Sequence, residues 1–164
     1  MKVSVIRTEF EVEKLAENSL TYFVEQANNK AIFNQQSYCK LSDRVVKALV
    51  PACSSTVSSQ ESEISFKMLI ACYESCINMA ASDGANNILI QPLGTGIKKD
   101  QTSTIGTVRS DGLWGDLFWT SSKSSLAARQ AVSKVVNIIP NDVCVFFIIQ
   151  EDNIDDWSWA LNFN

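Results

Sequence analysis

Apolar side chains recur along this chain with two different periods, and the alternation between the two outlines a fold. Val3 and Val5 alternate with polar neighbours near the start, and Leu20-Thr21-Tyr22-Phe23-Val24 is a β-branched and aromatic run that stops at Glu25-Gln26-Ala27-Asn28-Asn29. Both read as strands, the second followed by a polar loop, and Glu11 to Asn18 between them has the length of two helical turns. Ser42 precedes Asp43-Arg44 as an N-cap, and Val45, Val46, Leu49 and Val50 follow, so the pattern predicts a short helix closed by Pro51. The Ser-rich stretch from Ser54 to Ser62 reads as a loop.

From Ile64 onward Met68, Leu69, Cys72, Cys76, Ile77 and Ala80 recur at three- and four-residue steps up to the stop signal Asp83-Gly84, which predicts an amphipathic helix. Asn87-Ile88-Leu89-Ile90 follows as a short buried strand, and Pro92-Leu93-Gly94-Thr95-Gly96-Ile97 turns out of its end. Thr104 to Val108 and Leu113 to Trp119 flank an Asp111-Gly112 turn and predict a hairpin. Leu126 to Val136 carries a second helical stripe, Val143 to Ile149 is the most hydrophobic strand, and an acidic tail with Trp157 and Trp159 follows. Strands alternating with helices predict a parallel or mixed sheet covered on both faces, because parallel pairing needs a crossover and the crossover is usually helical. No repeat or composition break divides residues 1–164, so the expected unit is one α/β domain with a hairpin inserted at about 98–125.

Composition narrows the function classes. The 164 residues are 46% hydrophobic and 20% charged, and 14 basic against 18 acidic side chains leave a net charge of −4 with no run of Lys or Arg, so a phosphate-backbone partner lacks its electrostatic attraction. Nucleic acid is disfavoured. The chain has no histidine, which removes Ser-His and Cys-His nucleophile pairs and His-bearing zinc sites. Five cysteines lack CxxC spacing, and the first ten residues, with Lys2, Arg7 and Glu9, do not resemble a secretory leader, so a reducing cytoplasm with free thiols is the expected setting. The longest apolar run, Val143 to Ile149, is too short to span a membrane.

In an open α/β sheet ligands collect beyond the carboxyl ends of the strands, and three loops qualify: Gln26 to Asn29, Pro92 to Ile97, and the segment after Ile149. The middle one carries the most chemistry. Gly94 and Gly96 have no Cβ, so the backbone there can approach an anion and turn its N–H groups toward phosphate oxygens, with Thr95 adding a hydroxyl; the same glycines serve equally well as a plain tight turn. Lys98-Lys99 either neutralise a diphosphate or decorate the loop. Cys72 and Cys76, at i and i+4 without His, read as core packing rather than metal ligands. Glu151, Asp152, Asp155 and Asp156 read as a solvated acidic tail, since the Gly and bidentate Glu of a calcium loop are missing.

The order helix, strand, Pro-Leu-Gly-Thr-Gly-Ile, helix, apolar strand resembles the macro domain, the ADP-ribose-binding module. The likeness runs through Leu69 to Ala81, Asn87 to Ile97, Ala127 to Val136 and Val143 to Asn153, and more faintly through Met1 to Phe10 and Phe23 to Asn29. It implies a three-layer α/β/α sandwich with a mixed, largely parallel sheet. It also implies a site in which Leu93, Gly94, Thr95, Gly96 and Ile97 cradle the diphosphate and distal ribose. By the same resemblance Asn28, after Ala27, takes the place of the amide that contacts that ribose, Glu9 and Phe10 fall where the family places an acid on the adenine and an adjacent apolar residue, and Ile149 stands where an aromatic residue often packs on the adenosine.

Family members carry a second run of glycines after the Ala-Asn loop, whereas here the stretch reads Ile32-Phe33-Asn34-Gln35-Gln36-Ser37-Tyr38. Half of the phosphate clamp is therefore changed, and the acid or amide that aids hydrolysis in some members has no clear counterpart. Binding of ADP-ribose or a related nucleotide without efficient turnover, and with no cofactor, is the expectation. The alternative is a macro-like scaffold that has lost its nucleotide and works as a protein-interaction module through the aromatic hairpin and the Trp157/Trp159 tail. Trp114, Phe118 and Trp119 bring three rings into six residues of the insertion, too large an apolar group to stay exposed. They fold onto the domain, form a lid over the cleft, or make a partner or homodimer contact.

Overall fold

A computed structural model describes residues 1–8, 20–27, 38–51, 59–95 and 119–162. Six strands, β1 (Lys2–Ile6), β2 (Thr21–Gln26), β3 (Tyr38–Ser42), β4 (Val45–Leu49), β5 (Asn87–Ile90) and β6 (Cys144–Ile148), form one sheet in the order β1-β6-β5-β2-β4-β3. All neighbours pair in parallel except β3, which runs antiparallel to β4 at the edge. Three helices accompany the sheet among the described residues: α1 (Ser59–Ser82), α2 (Ser121–Val135) and α3 (Ile154–Ala160), the last entered through a 3-10 turn at Glu151–Asn153. The expected mixed, largely parallel α/β sheet is thus present.

Side chains on a strand point alternately to opposite faces, and here the two faces differ. Tyr22 and Val24, Val46 and Ala48, Ile88 and Ile90, and Val145 and Phe147 share one large core with Leu69, Tyr73 and Ile77 of α1, Ala128 and Val132 of α2, and Trp157 of α3. All three helices therefore pack on the same face. The opposite face presents a smaller apolar cluster of Ile6 and Leu89 with Phe23, Phe146 and Ile148. Both faces of the central strands are apolar, which is why β5 and β6 read as unbroken hydrophobic runs. The helix expected at Glu11 to Asn18 lies outside the described residues.

Ala127, Ala128 and Ala131 on α2 are fully buried, and their single methyls let α2 lie close against α1. At the end of α1, Gly84 adopts φ +103° and the Ala85 N–H reaches back to the Ala80 carbonyl, so the Asp83-Gly84 stop signal acts as a left-handed cap.

Two expectations need correction. Val45 to Val50 is not a helix: Asp43 and Arg44, at φ 50° and 65°, make a two-residue turn that joins β3 to β4. Apolar residues at 45, 46, 49 and 50 fit helical spacing, but Val46, Ala48 and Val50 are the buried ones, and that is the two-residue period of a strand. Both helices begin earlier than their apolar stripes. Ser59 to Ser62, expected as loop, belongs to α1, and Ser121 to Ser125, expected in the insertion, belongs to α2, where Thr120 Oγ1 caps the helix by accepting from the Lys123 N–H at 3.1 Å. The acidic tail is solvent-exposed as expected, and it is ordered as the 3-10 turn and α3, with Asp155 and Asp156 in the first turn of α3, where the helix dipole favours them. Trp157 is fully buried and donates from Nε1 to Ser121 Oγ at 2.9 Å, while Trp159 stays exposed.

Candidate functional site

Because β1, β6, β5 and β2 are adjacent and parallel, their carboxyl ends share one edge of the sheet, which gathers residues 7–8, 149–150, 91–95 and 27. From β2 the chain goes on to β3 and β4 on one side; from β5 it goes on to α2 and β6 on the other. Such a divergence between neighbouring strands is where open α/β sheets form a crevice. Across this edge Arg7, after β1, pairs with Glu151, after β6, and both side chains are mostly exposed.

The loop after β5 is held from inside. The Leu93 N–H donates to the Tyr73 hydroxyl at 2.7 Å, and the Leu93 carbonyl accepts from Ser124 Oγ at 2.7 Å. Tyr73 and Ser124 also hydrogen-bond each other. Since the Ser124 proton is committed to Leu93, Tyr73 must be the donor in that third bond, and the three groups close a ring of hydrogen bonds that begins and ends on Leu93. Such rings strengthen cooperatively in a buried setting. Burial pushes the Tyr73 phenol well above its ordinary value, outweighing the bonds to Ser124 and Leu93, so it stays protonated.

Gly94 sits at φ +81°, a conformation that favours glycine. Its N–H donates to Gln26 Oε1 at 3.0 Å, and its carbonyl accepts from the Trp119 N–H at 2.8 Å. A Cβ built on Gly94 would stand 2.5 Å from Trp119 Cδ1. The space left by the missing side chain therefore houses the Trp119 indole, and the expectation that it leaves room for an anion at Gly94 is corrected. Trp119 is fully buried, tilts against Phe66 with ring centroids 5.9 Å apart, and donates from Nε1 to the Pro51 carbonyl at 2.9 Å. Of the three placements open to the aromatic insertion, Trp119 takes the one folded onto the domain; Trp114 and Phe118 lie outside the described residues.

Thr95 is fully buried, and its hydroxyl donates to the Pro92 carbonyl at 3.0 Å. Ala27 is exposed at the end of β2, with its N–H bonded to the Ala48 carbonyl. Ile149 lies at the same edge but is 1% exposed, a member of the core rather than an open face, with its N–H on the Ile6 carbonyl at 2.8 Å. Glu9, Phe10, Asn28, Gly96 and Ile97 lie outside the described residues, as do Lys98 and Lys99. Cys72 and Cys76 are both buried in the main core.

Tyr73, Ser124 and Gln26 fix the loop, and their roles were not legible in the pattern. Tyr73 occupies the core stripe of α1 like any apolar residue, Ser124 stands in a serine-rich stretch, and Gln26 ends a strand; only the hydrogen-bond accounting of Leu93 and Gly94 identifies them. Among the described residues no group of three His, Cys, Asp or Glu side chains is arranged to hold a metal ion, and no helix is long and apolar enough to cross a membrane. No protein-family model matches the chain, and no curated protein matches it in sequence.

Proposed function

We propose that this chain is a divergent macro-like module that binds ADP-ribose or a related nucleotide at the carboxyl edge of its sheet, without efficient turnover. One observation supports it above the rest: five parallel strand ends, those of β1, β6, β5, β2 and β4, meet at one edge, and the chain diverges between β2 and β5. In this reading Leu93 and Gly94 shape the loop, since their N–H groups are taken by Tyr73 and Gln26. Contact with the anion then falls to Asn28 and to Gly96 and Ile97, with Glu9 and Phe10 at the adenine. With no histidine in the chain, general acid–base groups poised near neutrality are few, which favours binding over catalysis.

A second reading, a macro-like scaffold acting as a protein-interaction or homodimer module through Trp114 and Phe118, is favoured by the indole that fills the space beside Gly94. Titration calorimetry with ADP-ribose separates the two. The nucleotide reading expects heat with the wild type and binding at least tenfold weaker for Asn28→Ala and Gly96→Val. Absence of heat with the wild type, or equal binding by all three, overturns it. Loss of self-association in light scattering for Trp114→Ala together with calorimetric silence supports the second reading.

A further inference from the structure

Three sulfurs gather between the edge hairpin and α1, far from the loop after β5 in the strand order. Cys39 is the second residue of β3, opposite Ala48 on β4. Directly opposed residues of an antiparallel pair project to the same face, and Ala48 is buried beneath α1, so Cys39 also faces that helix. Cys72 and Cys76 occupy successive turns of α1, Cys72 with its Sγ 3.9 Å from the Leu49 carbonyl. Cys76 follows Ser75 and lies one turn before Met79, two α1 residues that share a groove with Cys39, so the helix sets its thiol close to Cys39 and one turn from Cys72. All three are free thiols, but they differ in access: Cys72 and Cys76 are buried and Cys39 is not.

That access is a groove of about 740 Å³ between the sheet edge and the carboxyl half of α1. Cys39 and Leu41 form its strand side; Ser75, Met79 and Asp83 lie on its helix side. A small reagent therefore meets one thiol of the cluster from solvent while a second, buried thiol lies on the helix behind it.

We propose that Cys39 and Cys76 are a peroxide-oxidisable dithiol, with Cys39 as the attacking thiolate at the groove and Cys76 as the resolving thiol. Cys39 sulfur attacks one oxygen of hydrogen peroxide, the O–O bond breaks, Cys39 becomes a sulfenic acid, and the departing hydroxide takes a proton to leave as water. Cys76 sulfur then attacks Cys39 sulfur; the S–S bond forms, the S–O bond breaks, and the hydroxyl leaves as water with the Cys76 proton. Two thiols lose two electrons and two protons, and peroxide is reduced to two waters.

The electrostatics divide the roles in the same sense. The hydrogen bond from Cys76 pulls the Cys39 thiol down to about 7 against the opposing effect of burial. The bonds to Cys39 and Cys72, together with burial, push Cys76 up, so it stays a protonated donor until Cys39 has been oxidised. Asp83 is the charged side chain on the groove among the described residues, while Ser75 is neutral. The lowered value gives Cys39 a much larger thiolate share near neutral pH than an ordinary thiol keeps, and the loss of nucleophilicity that accompanies lower basicity, roughly two- to threefold per unit, offsets only part of that gain.

The intact, reduced protein carries its own comparison, because Cys144 on β6 is also partly exposed. Iodoacetamide followed by mass spectrometry is expected to label Cys39 about threefold faster than Cys144. Limiting hydrogen peroxide is expected to give an intramolecular disulfide, lighter by two hydrogens and mapping to Cys39–Cys76. In Cys76→Ala, dimedone is expected to trap a sulfenic acid on Cys39, whereas Cys72→Ser still forms the disulfide. Labelling of Cys39 no faster than Cys144, a disulfide mapping to any other pair, or no disulfide in the wild type overturns the proposal.

Discussion

Gly94 and Trp119 offer a direct test of how the loop after β5 is built. Replacing Gly94 by Ala has two separable costs. The left-handed φ of +81° disfavours any L side chain by about 1–2 kcal/mol. The new methyl also stands 2.5 Å from Trp119 Cδ1, and Trp119 is pinned at both ends, its indole N–H on the Pro51 carbonyl and its backbone N–H on the Gly94 carbonyl, so overpacking adds about 1–3 kcal/mol. Gly94→Ala therefore loses about 2–5 kcal/mol of a stability expected near 5–15 kcal/mol. Trp119→Ala alone empties a large buried site and costs about 3–5 kcal/mol. In the double variant the methyl meets no ring, so the added cost of Gly94→Ala falls to about 1–2 kcal/mol. Urea unfolding of the wild type, both single variants and the double variant measures this coupling. If Gly94→Ala costs the same with and without the indole, the glycine does not exist to admit Trp119, and the packing described for this corner is wrong.

Further outcomes follow from the same structure. Tyr73→Phe leaves the buried Leu93 N–H without its acceptor and should cost about 1–3 kcal/mol in chemical denaturation, with faster hydrogen exchange at the Leu93 amide. Tyr73 is raised above the ordinary value of 10.0 by burial, and Tyr22 is raised by its hydrogen bond to Asp83, so both stay protonated in the folded state while the unfolded chain ionises. Stability should therefore hold below pH 10 and fall as pH rises through it, and Tyr73→Phe should flatten that fall in a pH series of urea midpoints. Thr120→Ala removes the α2 cap and should lower stability by about 1 kcal/mol. Ala131→Leu forces a larger side chain between α2 and the core and should cost about 1–3 kcal/mol by thermal unfolding, whereas Trp159→Ala, at an exposed position, should fall within about 0.5 kcal/mol of the wild type.

The parallel core was legible because its signals are dense. Ile88 to Ile90 and Val143 to Ile149 are apolar on consecutive positions, which a half-exposed strand cannot be, and they appear as β5 and β6 within a residue at each end. The β3–β4 hairpin was not legible, since Val45, Val46, Leu49 and Val50 satisfy helical spacing while the turn relies on Asp43 and Arg44 at positive φ, neither of them glycine. Polar first turns hid the starts of both long helices. At the candidate site the loop could be located but its inner side could not: which amide Gln26 takes, or that a ring some 25 positions later would settle against Gly94, depends on tertiary placement that no local pattern encodes.

The strand order also sets the sequence in which the molecule can assemble. β6 lies between β1 and β5, so the pairing of Lys2 with Cys144 joins residues more than a hundred positions apart and closes one of the longest loops in the fold. Until β6 arrives, β1 has no strand to join, whereas β2, β3, β4, β5 and α1 all lie within residues 21–90 and can associate through shorter closures. Contacts of such high sequence separation slow folding because their entropy must be met before they stabilise anything. A nascent or truncated chain lacking β6 would hold β1 as an unpaired, partly apolar segment, making arrival of β6 the event that seals the sheet.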